Sequence, residues 1–372
     1  MAPNKKFPIF FNMSTIILHD YYESADGGGR LSAMLADELE AHLAYGFAKL
    51  PHPFVQGEDI NVRERNLSFR SNLPLLRQFR LARSFEYRTH FLQDYTQCIY
   101  SGFYTPLAAL HQTSGKHILY CHTPPRFVYD QRAFYQQQVI APLRPLLSGF
   151  VNYLQPRYEA AAKRMDLIIA NSHNVQKRIK QYLDLDSEVV YPPCDTQRFQ
   201  WHEQGDFYLS TARLDPLKRV DLIIQAFLQM PDKKLVVASS GSELKKLQKL
   251  AQHAPNISFT GYLDDQGFID LVGRAIATIY LPTDEDFGMS PLESMAAGKP
   301  VIGVAEGGLL ETIVDGETGF LLTTPPDSDT LIKAVQKLSA PTALSMRTAC
   351  EARAQEFDSA IFLQKMRELI FT

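Results

Sequence analysis

The chain reads as an α/β protein of two doubly wound, parallel-sheet domains, and three observations lead there. Short β-branched or aliphatic runs alternate with segments of helical period, the runs are apolar at almost every residue, and the alternation pauses once near the middle. Strands alternating with helices build parallel βαβ units, and near-continuous apolarity marks strands covered on both faces. In the first half the runs are "STIILHD" (14–20), "HILYCH" (117–122), "DLIIANS" (166–172) and "EVVYPP" (188–193). In the second they are "FYLSTARL" (207–214), "KLVVASSG" (234–241), "ISFTGYL" (257–263), "AIATIYLP" (275–282) and "KPVIGVA" (299–305). The pause is "VVYPPCDTQRFQWHEQGDFYLS", where Pro192, Pro193, Asp195 and Gly205 carry no helical period, the composition of a linker. Domains of 1–198 and 199–354 are therefore expected. The remainder, 355–372, contains "FDSAIFLQKMRELI", a helix offering Phe357, Ile361, Met366 and Ile370 as one apolar face, expected to pack back on the first domain.

At 372 residues and 45% hydrophobic content the chain is long enough for two full cores. Lys plus Arg number 38 against 41 Asp plus Glu, a net charge of −3, so nucleic acid is not expected as a partner and any anionic surface must be met locally. Cys98, Cys121, Cys194 and Cys350 are far apart and form no C-x-x-C pair, which points to reduced thiols in a cytosolic compartment rather than disulfides or zinc. "KKFPIFFNMSTIILHDYY" (5–22) is broken by Pro8, Asn12 and Ser14 and is read as a lead-in and first strand, not a signal peptide. No run of about 18 apolar residues is present, so no transmembrane helix is expected.

The segment 61–92 is the local exception in charge. Arg63, Arg65, Arg70, Arg77, Arg80, Arg83 and Arg88 face only Glu64 and Glu86 and are interleaved with Leu75, Leu76, Phe79 and Phe85. Two readings fit: a solvated helix face with an apolar core side, or a patch facing a phosphate-bearing or membrane-borne acceptor.

Four stretches carry chemistry. In "ESADGGGRLSAMLADELEAHL", Gly27, Gly28 and Gly29 open a helix, so backbone N–H groups can approach a phosphate; a flexible turn would look the same. The G-x-G-x-x-G spacing of dinucleotide sites is not met. In "TARLDPLKRVDLIIQAF", Arg213 and Lys218 follow a strand and suit a diphosphate, while Arg219 with Asp221 fits ordinary helix-start polarity better. "CHTPPR" places His122 at the carboxyl end of a strand, with Arg126 near it, where ligands of doubly wound sheets sit. In "TDEDFGMSPLESMAAGKPVIG" (283–303), Ser290 is a candidate N-cap, Pro291 a first helical residue, and Ser-x-x-Glu a capping box that would occupy Glu293; Gly298 and Pro300 end the helix. Capping does not account for Glu285. Its carboxylate suits sugar or ribose hydroxyls, and the amides of Gly288 and Met289 suit a phosphate.

Around "DFGMSPLE", Glu285 and Glu293 form a Glu-x7-Glu pair, and here the chain resembles the family-4 (group 1) retaining glycosyltransferases of GT-B fold. The likeness extends through "GGGRLSAMLADEL", "YCHTPPRFVYD", "DLIIANSHNVQKRI", "VVYPPCDTQRF", "ARLDPLKRVDLIIQAF", "FTGYL", "EDFGMSPLESMAAGKPVIG" and "GGLLETIVDGETGFLL", in family order. The trio "HTPPR", "LDPLKR" and "DEDFG" is most similar to the bacterial subgroup with O-antigen and capsule mannosyltransferases.

The resemblance implies a nucleotide-sugar donor on the second domain, an acceptor on the first, and catalysis in the cleft between them. By motif, Arg213 and Lys218 would hold the diphosphate, Glu285 and the Phe287-Gly288-Met289 backbone the donor sugar and phosphate, and Glu293 the ribose. His122 would lie beside the transferred sugar, Gly28 and Gly29 near the distal phosphate, and Tyr262 and Leu263 near the base. It implies no metal and no cofactor, the nucleotide-sugar being a substrate; Asp284 and Asp286 receive no role. Arg30 departs from the Gly-Gly-acidic pattern of many relatives. The expected activity is retaining transfer of a hexose, first mannose from GDP-mannose, to a glycan or lipid-linked acceptor of a bacterial surface polysaccharide. The enzyme would then be cytoplasmic or peripheral on the inner membrane through residues 63–88. A UDP-sugar transferase, a nucleotide-sugar epimerase, a glycogen-synthase-like enzyme and a non-catalytic binder are the alternatives.

Overall fold

The apolar runs fold as strands that pair in parallel throughout. The computed structural model describes residues 14–23, 27–49, 64–261 and 263–371; the lead-in 5–13, Arg63 and Tyr262 lie outside them. The first sheet contains β1 (Thr15–His19), β2 (His42–Tyr45), β3 (Glu64–Asn66), β4 (Gln97–Ser101), β5 (Lys116–Cys121), β6 (Leu167–Ala170) and β7 (Glu188–Val189), in the order β3-β2-β1-β4-β5-β6-β7. The second contains β8 (Phe207–Ser210), β9 (Lys234–Val237), β10 (Ile257–Phe259), β11 (Thr278–Ile279), β12 (Val301–Val304) and β13 (Gly319–Leu322), in the order β10-β9-β8-β11-β12-β13. Register is fixed at the centre of each: Ile17 faces Leu43 and Ile99, and Leu209 faces Thr278. Burial explains the continuous apolarity, since all five residues of β1 and all four of β12 are covered.

Both sheets reverse their winding once, between β1 and β4 and between β8 and β11. At such a switch point neighbouring loops part at the carboxyl edge and leave room for a ligand.

Four strands escape the sequence reading. β2 follows the Gly27–Glu38 helix so closely that "HLAY" looks like its continuation; the break comes at Glu40, whose φ of 48° is left-handed. β3, "ERN", is an exposed edge strand, and charged residues there discourage further pairing. In β4 only Cys98, Ile99 and Tyr100 are apolar. β13, "GFLL", stands out as a family motif more than as a strand.

The chain divides into two compact units. The first takes residues up to Asn171 and then Val175–Val189; the second takes Ser172–Asn174 and Val190–Thr372. The border falls ahead of residue 198 because Cys194 and Phe199 sit in the core of the second unit, with the Cys194 amide on the Phe357 carbonyl at 2.8 Å and the His202 amide on Gly273 at 3.0 Å. The Ser359–Ile370 helix is part of the second unit and buries Phe362, Met366 and Ile370. Ile361, expected on that face, is exposed, because the buried stripe runs at i, i+4, i+8 from Phe362.

All four cysteines are free and buried; burial pushes the Cys98 and Cys350 thiols up to about 12, which makes them poor nucleophiles. Among the described residues no helix is long and apolar enough to cross a membrane.

Candidate active site

In the second unit the switch point is occupied by the loop after β11. Tyr280 to Pro282 follow the strand without regular structure, residues 283–288 turn, and the Met289–Ala296 helix follows. The turn is held almost entirely through its backbone. Gly308 donates its amide to the Glu285 carbonyl at 2.8 Å, Asn174 Nδ2 donates to the same oxygen at 2.9 Å, and Ser172 Oγ donates to the Asp286 carbonyl at 2.6 Å. Gly307 (φ 60°) and Gly308 come so close that a Cβ would lie 2.4 Å from the Glu285 oxygen and 2.3 Å from the Phe287 Cα, respectively. Glu306 accepts from the Asp284 amide at 3.2 Å and from Arg219 Nη1 at 2.5 Å, and Arg219 also donates to the carbonyls of Leu281 and Pro282. Phe287 is buried and stacks on Tyr191 at 5.3 Å, so only its backbone faces a ligand.

Gly288, with φ 95°, takes the cap position of the Met289–Ala296 helix. This corrects the capping box: Ser290 lies inside the first turn because the loop enters through a left-handed glycine. Glu293 is therefore not a capping residue of this helix. It is half-buried, and its charge reaches Cys194. Gly298, at φ 66°, ends the helix as expected.

Lys218 and Glu285 meet. Nζ lies 2.5 Å from Glu285 Oε2 and 3.1 Å from the Tyr280 hydroxyl, and both charged side chains are mostly buried, at 17% and 18% exposure. Burial alone would push the ammonium down, yet Tyr280 and Glu285 hold it above its ordinary value. Burial and then the Glu285 charge push the Tyr280 phenol up. Arg213 is elsewhere in posture: its side chain is 76% exposed and reaches Asp215 at 3.2 Å. Arg219, read from sequence as helix-start polarity, instead clamps the end of β11. Leu263 is half-buried against the core.

In the first unit, β1, β4 and β5 end together at the switch point, bringing His19, Ser101 and His122 to one edge. Gly27, Gly28 and Gly29 form the first turn of the Gly27–Glu38 helix, with Gly28 half-buried and Gly29 buried. His122 Nε2 lies 2.8 Å from Ser101 Oγ, which lies 2.8 Å from Ser32 Oγ; Ser32 Oγ is 3.1 Å from His19 Nδ1 and 2.9 Å from the Gly28 carbonyl. Asp20 accepts the amides of Phe103, Tyr104 and Thr105 at 2.6, 2.8 and 3.2 Å, fixing the turn after β4. Nothing in the sequence spacing signals His19, Asp20, Ser32, Ser101, Asn174, Tyr280 or Glu306, because each comes from a different strand or loop than its partner.

The Arg-rich segment forms the Pro74–Tyr87 helix, with Leu81 and Phe85 buried. Leu76 and Phe79 are exposed, together with Phe69 and Leu73. Arg70 and Arg77 pair with Glu23 at 2.7 and 3.1 Å, while Arg80 stacks over Phe69 and Arg83 over Tyr87.

Comparison with known proteins agrees with this layout. Residues 195–357 match "Glycosyl transferases group 1" and residues 30–198 match "Glycosyltransferase Family 4". The alpha-1,3/1,6-mannosyltransferase ALG2 of Dictyostelium discoideum is 25% identical over 257 residues, 56% of this chain and 59% of that protein. Human ALG2 is 25% identical over 299 residues, 70% of this chain and 69% of its own length. The chain thus spans under two thirds of the Dictyostelium relative. In structure, Anabaena Alr3699/HepE, solved in complex with UDP and glucose, superposes with a TM-score of 0.76 at 17% identity, covering 97% of this chain and 100% of that one. With both halves matched in sequence and two parallel-sheet α/β units in the structure, the chain belongs to the family-4 (group 1) glycosyltransferases of GT-B fold.

Proposed function

We propose that this glycosyltransferase moves a hexose, with retention of configuration, from a nucleotide-diphosphate sugar to a glycan or lipid-linked acceptor. The observation that carries the reading is the Lys218–Glu285 pair at the end of β11, beside an N-terminal helical turn capped only by Gly288. A cation, a carboxylate and helix amides on one edge suit a sugar joined to a diphosphate. In this reading the donor phosphate displaces Glu285 as the partner of Lys218. The released carboxylate then accepts hydroxyls of the sugar. Tyr280 keeps Lys218 in place, exposed Arg213 turns onto the phosphates, and the Gly288 and Met289 amides meet their oxygens. Glu293 takes the ribose and Leu263 the base, while for the first unit the family resemblance assigns His122 to the sugar and Gly28 and Gly29 to the distal phosphate.

Charge developing on the leaving diphosphate is met by Lys218, Arg213 and the helix amides, so no metal ion is required. The acceptor hydroxyl forms its bond to the anomeric carbon on the face from which the phosphate departs. Its proton passes to the departing phosphate oxygen, with Glu285 as a binding group.

Mannose from GDP-mannose is the first donor, supported by the mannosyltransferase relatives. A UDP-sugar is the second, favoured by the neighbour bound to UDP and glucose. A place in bacterial surface polysaccharide synthesis, at the cytoplasmic face of the inner membrane, rests on the similarity of "HTPPR", "LDPLKR" and "DEDFG" to that subgroup.

A ligand that binds only the folded protein raises its melting temperature. In a panel of GDP, UDP, GDP-mannose and UDP-glucose, the guanine pair should stand out, and Lys218→Ala should abolish its shift. A response to the uracil pair alone moves the proposal to the second donor. Silence from all four would refute the donor site. Slow acceptor-free hydrolysis of the effective sugar nucleotide then separates an enzyme from a binder.

A further inference from the structure

The two serines between His122 and the glycine turn have no part in the reading above, yet they are among the most deeply buried polar side chains of the first unit: Ser32 is 0% and Ser101 1% exposed. They come from different elements, Ser32 from the Gly27–Glu38 helix and Ser101 from the last position of β4. Together they form a continuous chain, His19 Nδ1 to Ser32 Oγ at 3.1 Å, Ser32 Oγ to Ser101 Oγ at 2.8 Å, and Ser101 Oγ to His122 Nε2 at 2.8 Å.

Each hydroxyl has one proton to give, which makes the chain directional. Ser32 Oγ lies near three possible acceptors, the Gly28 carbonyl, Ser101 and His19 Nδ1. The Gly28 carbonyl is four residues back in the same helix and already takes the Ser32 amide in the ordinary helical pairing. Between the two hydroxyls the geometry makes Ser32 the donor, so His19 Nδ1 donates to Ser32 in this arrangement and the Ser101 proton goes to His122 Nε2. A ring nitrogen that accepts carries no hydrogen, so the imidazole proton of His122 sits on Nδ1.

We propose that Ser101, backed by Ser32, is a positioning residue that locks His122 in the Nδ1–H tautomer and fixes its ring plane. The consequence is a defined donor rather than a mixture of tautomers beside the transferred sugar. That last step rests on the function proposed above, whereas the tautomer itself does not.

The test uses the full chain without ligand, labelled with nitrogen-15 histidine, with the His122 signals identified by their loss in His122→Gln. The wild type should show the Nδ1–H pattern for His122. Ser101→Ala should shift it toward the Nε2–H form that free histidine favours, and Ser101→Thr, which keeps a hydroxyl, should restore the wild-type pattern. With an active donor and acceptor, Ser101→Ala should lower kcat about tenfold or more with little change in the donor KM, and Ser101→Thr should recover most of it. An Nε2–H pattern in the wild type, or an unchanged pattern and kcat in a folded Ser101→Ala, overturns the proposal. If the wild type transfers no sugar at all, the functional reading fails while the tautomer result still decides this one.

Discussion

Lys218 and Glu285 are held together by burial as much as by charge. A mostly buried ion pair gains from attraction but has lost much of its hydration, so removing one partner leaves the other stranded. Glu285→Gln keeps the shape and a hydrogen-bond acceptor and discards the charge. We expect transfer to slow by about a hundredfold while the nucleotide still binds, because Lys218 and the helix amides remain. Mass spectrometry of the wild type incubated with donor should find no glycosyl group on Glu285; such an adduct would make it a nucleophile and end the same-face account. Both residues stood out in the sequence, Lys218 by its place after a strand and Glu285 as a loop carboxylate that helix capping does not explain. Tyr280 did not: in sequence it is merely the last aromatic of an apolar strand and acquires its role only by facing Lys218. Arg219 shows the same limit from the other side: its charge was legible, but its target, Glu306, is 87 residues away.

At the scale of elements, the carboxylate-bearing loop keeps its shape because a second loop, Glu306 to Gly308, presses against it without side chains in the way. Gly308→Ala would put a methyl 2.3 Å from the Phe287 Cα, and backbone cannot yield as a flexible side chain does. The variant should lose about 2 kcal/mol or more of stability to urea and lose nucleotide-induced stabilisation with it. A variant of wild-type stability and nucleotide response would show that the loop tolerates displacement. The strands that form the second sheet's centre were readable because covered strands need apolar side chains on both faces. β3 was not, since an edge strand is specified by its neighbour's open hydrogen bonds rather than by its own hydrophobicity. The capping spacing at Ser290 misled for a related reason: helix starts are set by the chain's entry direction, which a left-handed Gly288 decides.

Over the whole molecule, two sheets of matching strand order each place one cluster at a switch point, and this arrangement follows from the alternation of strand and helix visible in the sequence. The exposed apolar residues at and within the Pro74–Tyr87 helix add a surface feature, with Leu73 at its start and Leu76 and Phe79 on the same element as Arg80 and Arg83. Such a face suits an anionic bilayer, where each basic side chain contributes about 1 kcal/mol. Replacing Arg80 and Arg83 with serine should reduce co-sedimentation with phosphatidylglycerol vesicles about tenfold, and undiminished binding would return the helix to an ordinary solvated face. The division of the chain also bears on how the protein can be taken apart. Ser172 and Asn174 tie down the backbone of Asp286 and Glu285, and the amides of His173 and Asn174 reach the Glu311 carboxylate at 2.8 Å each, although all three residues precede Val175–Val189 of the other unit. A fragment begun at Val190 would carry the entire second sheet and lack these four hydrogen bonds. The second unit is thus not a severable cassette: transplanted at the obvious linker, it would arrive with its carboxylate loop partly unlaced.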